Sequence, residues 1–419
     1  MKVNKLMLLL AAITVGFASA LAQNTTSPYS MYGYGLLNDR ATSMQRQMGG
    51  IGYALNSGRQ INAMNPASYS AIDSLTFLWD MGVDVSMLWQ KEGAKRDHSV
   101  GGGLDYLAMQ FPLSRHIGMS IGLIPYSSVG YAFGNQIKHG TSENKGSGGI
   151  NEAYAGISGS LFGFSLGANV AYSFGTITND VYSKPGTSGN TIFEHQMKIR
   201  DWNVTIGAQY TLKLDRYNKV VVGVTYNPKK SLHGKSYATT QDALTQTSPD
   251  TIGTLKLSGN YYQPNTVGAG INFTRERSYR LLVELDYTWQ QWSKAKFSPM
   301  YSPDGRLLFS GLDFNDRSKF ALGAEFVPRV RGNYGQRIAF RAGAYYTKDY
   351  LRIQGNNVKE YGVSFGVGLP TPEGKTLVNI GLEYKHRSSS PVNLLSENYF
   401  NITLGVNFNE VWFWKRKIN

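Results

Sequence analysis

The stretch Phe400-Asn401-Ile402-Thr403-Leu404-Gly405-Val406-Asn407-Phe408-Asn409 places an apolar residue at every second position. Successive side chains of a β-strand point to opposite faces, so this run has one greasy face and one polar face. The same alternation appears in Phe164, Leu166, Ala168, Val170, Tyr172 and Phe174, set against Ser165, Gly167, Asn169, Ala171 and Ser173. It returns in Trp202, Val204, Ile206, Ala208, Tyr210 and Leu212. About fourteen such stretches are expected, near 75–90, 103–112, 116–133, 150–160, 163–176, 193–213, 219–236, 254–274, 279–297, 317–328, 336–350, 359–369, 376–386 and 399–414. In a soluble sandwich the greasy faces meet a second sheet. In an all-β, antiparallel transmembrane barrel they meet lipid, and the polar faces line a lumen.

The rest of the chain favours the barrel. Lys2 and Lys5, the apolar run from Leu6 to Phe17, and Ala20-Leu21-Ala22 read as a secretory signal over residues 1–22. The apolar run is too short for a membrane-spanning helix, and no later stretch approaches the roughly 18 apolar residues one needs. With no cysteine after the signal, no lipoprotein anchor is expected. Mean hydropathy is mildly polar at −0.29. The 27 tyrosines and 47 glycines suit interfacial aromatic girdles and small lumen-facing positions. The net charge of +14 is spread along the chain without the motif context of nucleic-acid binding, so it reads as rim and lumen charge, with no nucleic-acid partner. Short links at 214–218 and 275–278 alternate with longer polar ones near 134–149, 177–192, 237–253 and 298–316. That is the pattern of periplasmic turns and extracellular loops, with an even strand number and both termini in the periplasm. Localisation in the outer membrane of a Gram-negative bacterium follows.

Catalysis finds little support. The histidines at 98, 116, 139, 195, 233 and 386 show no ligand spacing, so neither a metal site nor a cofactor is expected. Gly156-Ile157-Ser158-Gly159-Ser160 lacks the glycine two positions after serine that a nucleophile elbow needs, and reads as a tight turn. Lumen charge is more informative. With Leu281, Val283, Leu285 and Tyr287 outward, Glu284, Asp286 and Thr288 face inward, as do Glu325, Arg341, Glu383 and Lys385. An Arg or Lys facing lipid at mid-membrane costs about 2–4 kcal/mol, which forces this placement. These groups either brace each other and the lumen contents or touch a ligand.

Three segments together resemble the FadL-type outer-membrane transporters. The first is Met48-Gly49-Gly50-Ile51-Gly52-Tyr53-Ala54 followed by Asn65-Pro66-Ala67, similar to the family's glycine-rich stretch and NPA motif. The second is Pro264-Asn265-Thr266-Val267-Gly268-Ala269-Gly270, then Leu285-Asp286-Tyr287-Thr288-Trp289 and Trp292-Ser293-Lys294. The third is Ala321-Leu322-Gly323-Ala324-Glu325-Phe326, then Arg341-Ala342-Gly343-Ala344-Tyr345-Tyr346. The resemblance implies a 14-stranded barrel over 73–419, with a hatch, residues 23–72, folded inside it. It also implies a passive importer of hydrophobic small molecules such as long-chain fatty acids. The opening Ser27-Pro28-Tyr29-Ser30-Met31-Tyr32-Gly33-Tyr34-Gly35 and the end Phe408-Asn409-Glu410-Val411-Trp412-Phe413 resemble Bacteroidota barrels instead, whose relatives include a protein-secretion shuttle. A non-transport scaffold or secretion barrel is therefore the alternative function. Partners are a hydrophobic ligand and outer-membrane lipid, and a monomer is expected.

Within that hatch, Tyr29, Met31, Tyr32, Tyr34, Leu36, Leu37, Met44 and Met48 are too apolar for a watery channel, so they bury against wall or ligand. They are the candidate ligand contacts, or equally the hatch's own core. Asn65-Pro66-Ala67 is expected to fix a turn, since the residue before proline is held extended and Asn bonds its own backbone. Pro125 falls inside the third strand, where it removes a ladder donor. The resemblance makes Pro125, Tyr126 and Ser127 candidates for a side window to the bilayer, although the family's Pro-Phe-Gly is absent here. The alternative is a plain loop-entry proline above the membrane.

Overall fold

A computed structural model describes residues 26–137, 140–185, 190–243, 250–257, 261–295, 300–301, 307–309, 314–372 and 376–411. The signal over 1–22 and parts of several links lie outside them. Fourteen wall strands follow residue 75: β1 Thr76–Glu92, β2 Lys95–Ser114, β3 Ile117–Ile137, β4 Gly140–Leu161, β5 Phe164–Pro185, β6 Asn190–Lys213 and β7 Asn218–Asn227, then β8 Thr266–Glu276, β9 Arg280–Gln290, β10 Arg317–Val327, β11 Ala339–Ile353, β12 Asn356–Pro370, β13 Leu377–Ser390 and β14 Ser396–Val411. Each pairs antiparallel with its chain neighbours, and β1 pairs with β14 from Thr76↔Val411 to Lys91↔Ser396, which closes the ring.

Burial is inside out, as a wall between lipid and a filled lumen requires. Lipid-facing Leu166 is 65% exposed while Asn169, on the opposite face of β5, is 3% exposed. On β9, Glu284 is fully buried and Leu285 half-exposed. The lumen is occupied by residues 26–75, whose backbone presses directly on inward-facing glycines. A Cβ added at Gly223 would lie 1.9 Å from the carbonyl oxygen of Tyr53, and one at Gly343 would lie 2.1 Å from the carbonyl carbon of Met48. Any larger residue there would push the segment off the wall.

Three details differ from the reading of the sequence. The polar stretches near 134–149, 177–192 and 237–253 are largely strand: β3 runs to Ile137 and β4 starts at Gly140, β5 reaches Pro185 and β6 starts at Asn190. Gly234–Ala243 continues the ladder on β6 and pairs with Asp250–Leu257. A tilted strand needs only about 9–11 residues to span. Beyond the bilayer both faces meet water, the alternation fades, and a hydrogen-bonded ladder looks like a loop. Second, Gly156–Ser160 is interior strand, and the turn is Phe162–Gly163, where both residues have positive φ, 51° and 85°. Third, the first described residues do not lie at the periplasmic end. The Ser99 hydroxyl donates to Thr26 Oγ1 at 2.7 Å, and Ser27 Oγ donates to Glu397 at 2.6 Å, both at the outer end of the wall. The segment enters high and descends through the lumen to Thr76.

The face assignment is tested by Leu404→Arg against Thr403→Arg. Position 404 faces lipid, where arginine costs about 2–4 kcal/mol near the midplane, and 403 faces the lumen. The Leu404 variant should lose most of the heat-modifiable, fast-migrating form on unheated gels while the Thr403 variant retains it. Equal losses contradict the assignment.

Candidate functional site

Residues 26–75 contain little regular structure, so their backbone donors must find partners elsewhere. Some are local. Gln45 Oε1 accepts from the Thr42 backbone at 2.8 Å, and the Asn65 side chain accepts from Ala67 N at 3.1 Å, capping the 3₁₀ turn Pro66–Ala71. Many others are supplied by the wall. Asp286 accepts from Gly52 N and Tyr53 N at 2.6 and 3.1 Å, and Glu284 from Ala54 N at 2.9 Å. Ser364 Oγ accepts from Gly49 N at 2.9 Å, and Ser158 Oγ from Ser70 N at 2.6 Å. A buried amide without such a partner costs about 1–3 kcal/mol, so these lumen groups hold the segment's path.

Charge adds a second set of ties. Arg40 reaches Glu152 at 2.6 Å and Arg46 reaches Asp105 at 2.5 Å. Half-buried Asp39 pairs with Lys319 and with Arg317. Burial pushes the Asp39 carboxyl up, but the two cations more than reverse this and hold it well below the usual carboxylate range. Nearer the periplasm Glu325 pairs with Arg280 and Arg341, and Arg341 also donates to Gln47 and Asn379. Glu383 accepts from Tyr345 and Asn401, and Lys385 lies 3.9 Å from Glu360.

The hatch candidates do not converge on one pocket. Tyr29, Tyr34 and Leu36, with Met31 and Tyr32 beside them, pack against Trp292, Phe314 and Tyr350 in an apolar cluster that fills the outer half of the lumen. Trp292 lies 5.8 Å from the Tyr34 ring and 4.6 Å from that of Tyr350. Met44 and Met48 belong to a separate cluster with Ile51, Leu55, Leu282 and Ala321. Between them lie two small cavities: one of about 120 Å³ is touched by Leu36 and Leu37 but otherwise mostly polar, with Asp39, Arg317, Lys319 and Glu383 in its lining, and one of about 90 Å³ mixes Leu37, Tyr53, Met64 and Tyr126 with Asp39, Arg40 and Arg317.

The wall itself is incomplete. β2 pairs with β3 only from Leu107↔Leu123 to Ser114↔Ile117, short of the span a membrane needs. Above it comes Pro125, where β3 also slips register against β4. From there residues 30–38 take the place of β2. Asn38 N donates to Tyr126 O at 2.9 Å, and Leu37 and Leu36 pair antiparallel with Ser127 and Ser128. Ser30 Oγ then accepts from Gly130 N at 3.0 Å and donates to Gly130 O at 3.1 Å. Gly35 permits this approach: its φ is +85°, and an added Cβ would lie 2.4 Å from Ser128 O. The facing edge of β2, residues 95–106, has no strand partner on that side among the described residues.

The sequence reading singled out Glu284, Asp286, Glu325, Arg341, Glu383 and Lys385 but passed over Asp39, Arg40 and Arg46 and their partners Glu152, Asp105, Arg317 and Lys319. The wall members were legible as charges at inward positions of alternating strands. The hatch members carried no periodic signal. The Asp39 tie has a pH signature. A depressed folded-state pKa means its contribution is present above the unfolded value near 3.9 and is lost as pH falls through the lower folded value. Wild-type protein in planar bilayers should therefore keep a low, steady conductance from pH 7 to about 4.5. Asp39→Asn, which leaves Lys319 and Arg317 facing each other, should open frequently throughout that range. Matching traces would show that this pair does not hold the hatch.

Solved structures with this architecture share low identity and high coverage. A Pseudomonas aeruginosa FadL homologue superposes with a TM-score of 0.63 at 12% identity, over 89% of this chain and 99% of the other. The Pseudomonas putida toluene transporter TodX gives 0.59 at 16% identity, over 90% and 99%. The CymD monoaromatic hydrocarbon channel gives 0.58 at 16%, over 88% and 97%. These likenesses establish a FadL-type barrel fold, and the closed wall with its apolar outer face fits a multi-pass place in the outer membrane. No curated protein matches in sequence. The model of the family described as BamG matches residues 3–419, and the chain belongs to that family.

Proposed function

We propose that this protein is a passive outer-membrane channel for small hydrophobic molecules, with residues 23–72 as its hatch and the seam between β2 and β3 as its side exit. The observation that carries the reading is the wall ladder that stops at Leu123 and is replaced, beyond Pro125, by the hatch residues Asn38, Leu37, Leu36 and Ser30. An intact wall has no route to the bilayer, whereas a seam closed by a few hydrogen bonds opens when the hatch shifts. Pro125, Tyr126 and Ser127 then form one lip of that opening. The names borne by the solved neighbours, toluene transporter and monoaromatic hydrocarbon channel, agree with an apolar cargo. A long-chain fatty acid is the larger form of the same cargo. The 120 Å³ cavity is well below the roughly 300–1,000 Å³ of a ligand pocket, so passage requires the hatch to move. Movement is then down a gradient through a single barrel.

A second reading, a barrel that serves as scaffold or secretion component, is favoured by the same tightness. The lumen is crossed by wall-to-hatch hydrogen bonds and ion pairs, and the 120 Å³ cavity is mostly polar.

Replacing Pro125 by valine, a strong strand former, restores a ladder donor and should let β2 and β3 zip further. Uptake of a hydrophobic fluorescent probe by cells should fall severalfold with barrel assembly and surface abundance unchanged. Unaltered uptake excludes the seam as the exit. Uptake equal to that of cells lacking the protein, for wild type and variant alike, supports the scaffold reading instead.

A further inference from the structure

The outer wall carries a slot of about 550 Å³ on the periplasmic half of β10 to β13. Its origin is a register coincidence. Ala324 and Ala342 sit opposite each other, with Phe326 and Phe340 opposite each other one lipid-facing position closer to the periplasm. Phe365 stands beside Ala342, and Leu382 beside Phe365. Small side chains between bulky ones leave a channel there.

The turn beneath the slot, residues 328–338, supplies the opposite chemistry. It contains Arg329, Arg331 and Arg337 and no acidic residue. Arg329 and Arg331 are exposed, and none of the three pairs with a carboxylate among the described residues. Val330 N donates to Ser278 O at 3.0 Å, which ties this turn to the next one, where Arg277 is also exposed and lies over the Tyr217 ring. The turn is ordered by Arg329 N donating to Gln336 O at 2.8 Å, so the guanidinium groups are presented from a fixed frame. Guanidinium groups bind phosphate by paired hydrogen bonds, and Tyr334, exposed in the same turn, suits the headgroup level of a bilayer.

We propose that this slot and turn form a binding site for one anionic phospholipid of the inner leaflet, its acyl chain over Ala324 and Ala342 and its phosphate on Arg329, Arg331 and Arg337. The slot is apolar and at inner-leaflet depth, and the arginines, which pair with no carboxylate among the described residues, lie where that leaflet places its phosphates. A neighbouring barrel would cover the slot but leave the arginines without counter-charge.

The test uses the full protein in detergent with phosphatidylglycerol added, and native mass spectrometry to count retained lipid. Wild type should hold one phosphatidylglycerol. Both Ala342→Phe, which fills the slot, and the combined Arg329→Gln, Arg331→Gln and Arg337→Gln variant should hold at least fivefold less while keeping heat-modifiable gel migration. Retention equal to wild type in either variant overturns the proposal. So does a dimer in lipid nanodiscs that Ala342→Phe dissociates, which would assign the face to a second copy. Arginine-dependent binding of polyglutamate without lipid retention would assign it to an acidic protein.

Discussion

The edge of β3 above Leu123 is the constraint on which the structure turns. A strand edge at membrane depth cannot leave its amides and carbonyls bare, because lipid offers no hydrogen bonds and each unsatisfied group costs several kcal/mol. Pro125 and the register slip beside it end the ladder with β2, so those groups need another partner. The hatch provides it from the lumen side through Asn38, Leu37, Leu36 and Ser30. Residues 30–38 are thereby part of the wall as well as of its filling.

The remaining ties read as consequences. A segment with so little secondary structure stays in register against β3 only if its other donors are met. Asp286, Glu284, Ser364 and Ser158 meet them from strands around the ring. Asp39, one residue beyond the seam contacts, is pinned by Lys319 and Arg317 on the far wall. Asn38 and Asp39 are consecutive, so a displacement at either place is transmitted directly to the other. The apolar cluster of Tyr29, Tyr34, Trp292 and Tyr350 covers the same segment from outside. Polar pins below and an aromatic cover above describe a closed state.

Much of the wall was legible in the sequence because two solvents act on one strand. Phe400 to Phe408 alternates since lipid and lumen demand opposite side chains, and the paired charges Glu284 and Asp286 follow the same rule. Legibility failed wherever the two faces meet the same medium. The hairpins above the bilayer look like loops because water bathes both sides. The hatch shows no period because it is wrapped on every side by a lumen that is polar in one place and aromatic in another. Tyr29 and Met48 could be named as buried from their apolarity alone. That they belong to different clusters is a matter of path, which composition does not encode.

The most direct measurement is a disulfide between hatch and seam. The chain has no cysteine, so Leu37→Cys with Ser127→Cys introduces a single pair at positions opposed in the ladder. The bond should form in cells under mild oxidation, survive on non-reducing gels, and suppress probe uptake until reductant restores it. Failure of the pair to cross-link, or cross-linked barrels that still take up probe at the uncross-linked rate, would contradict a hatch that seals the wall.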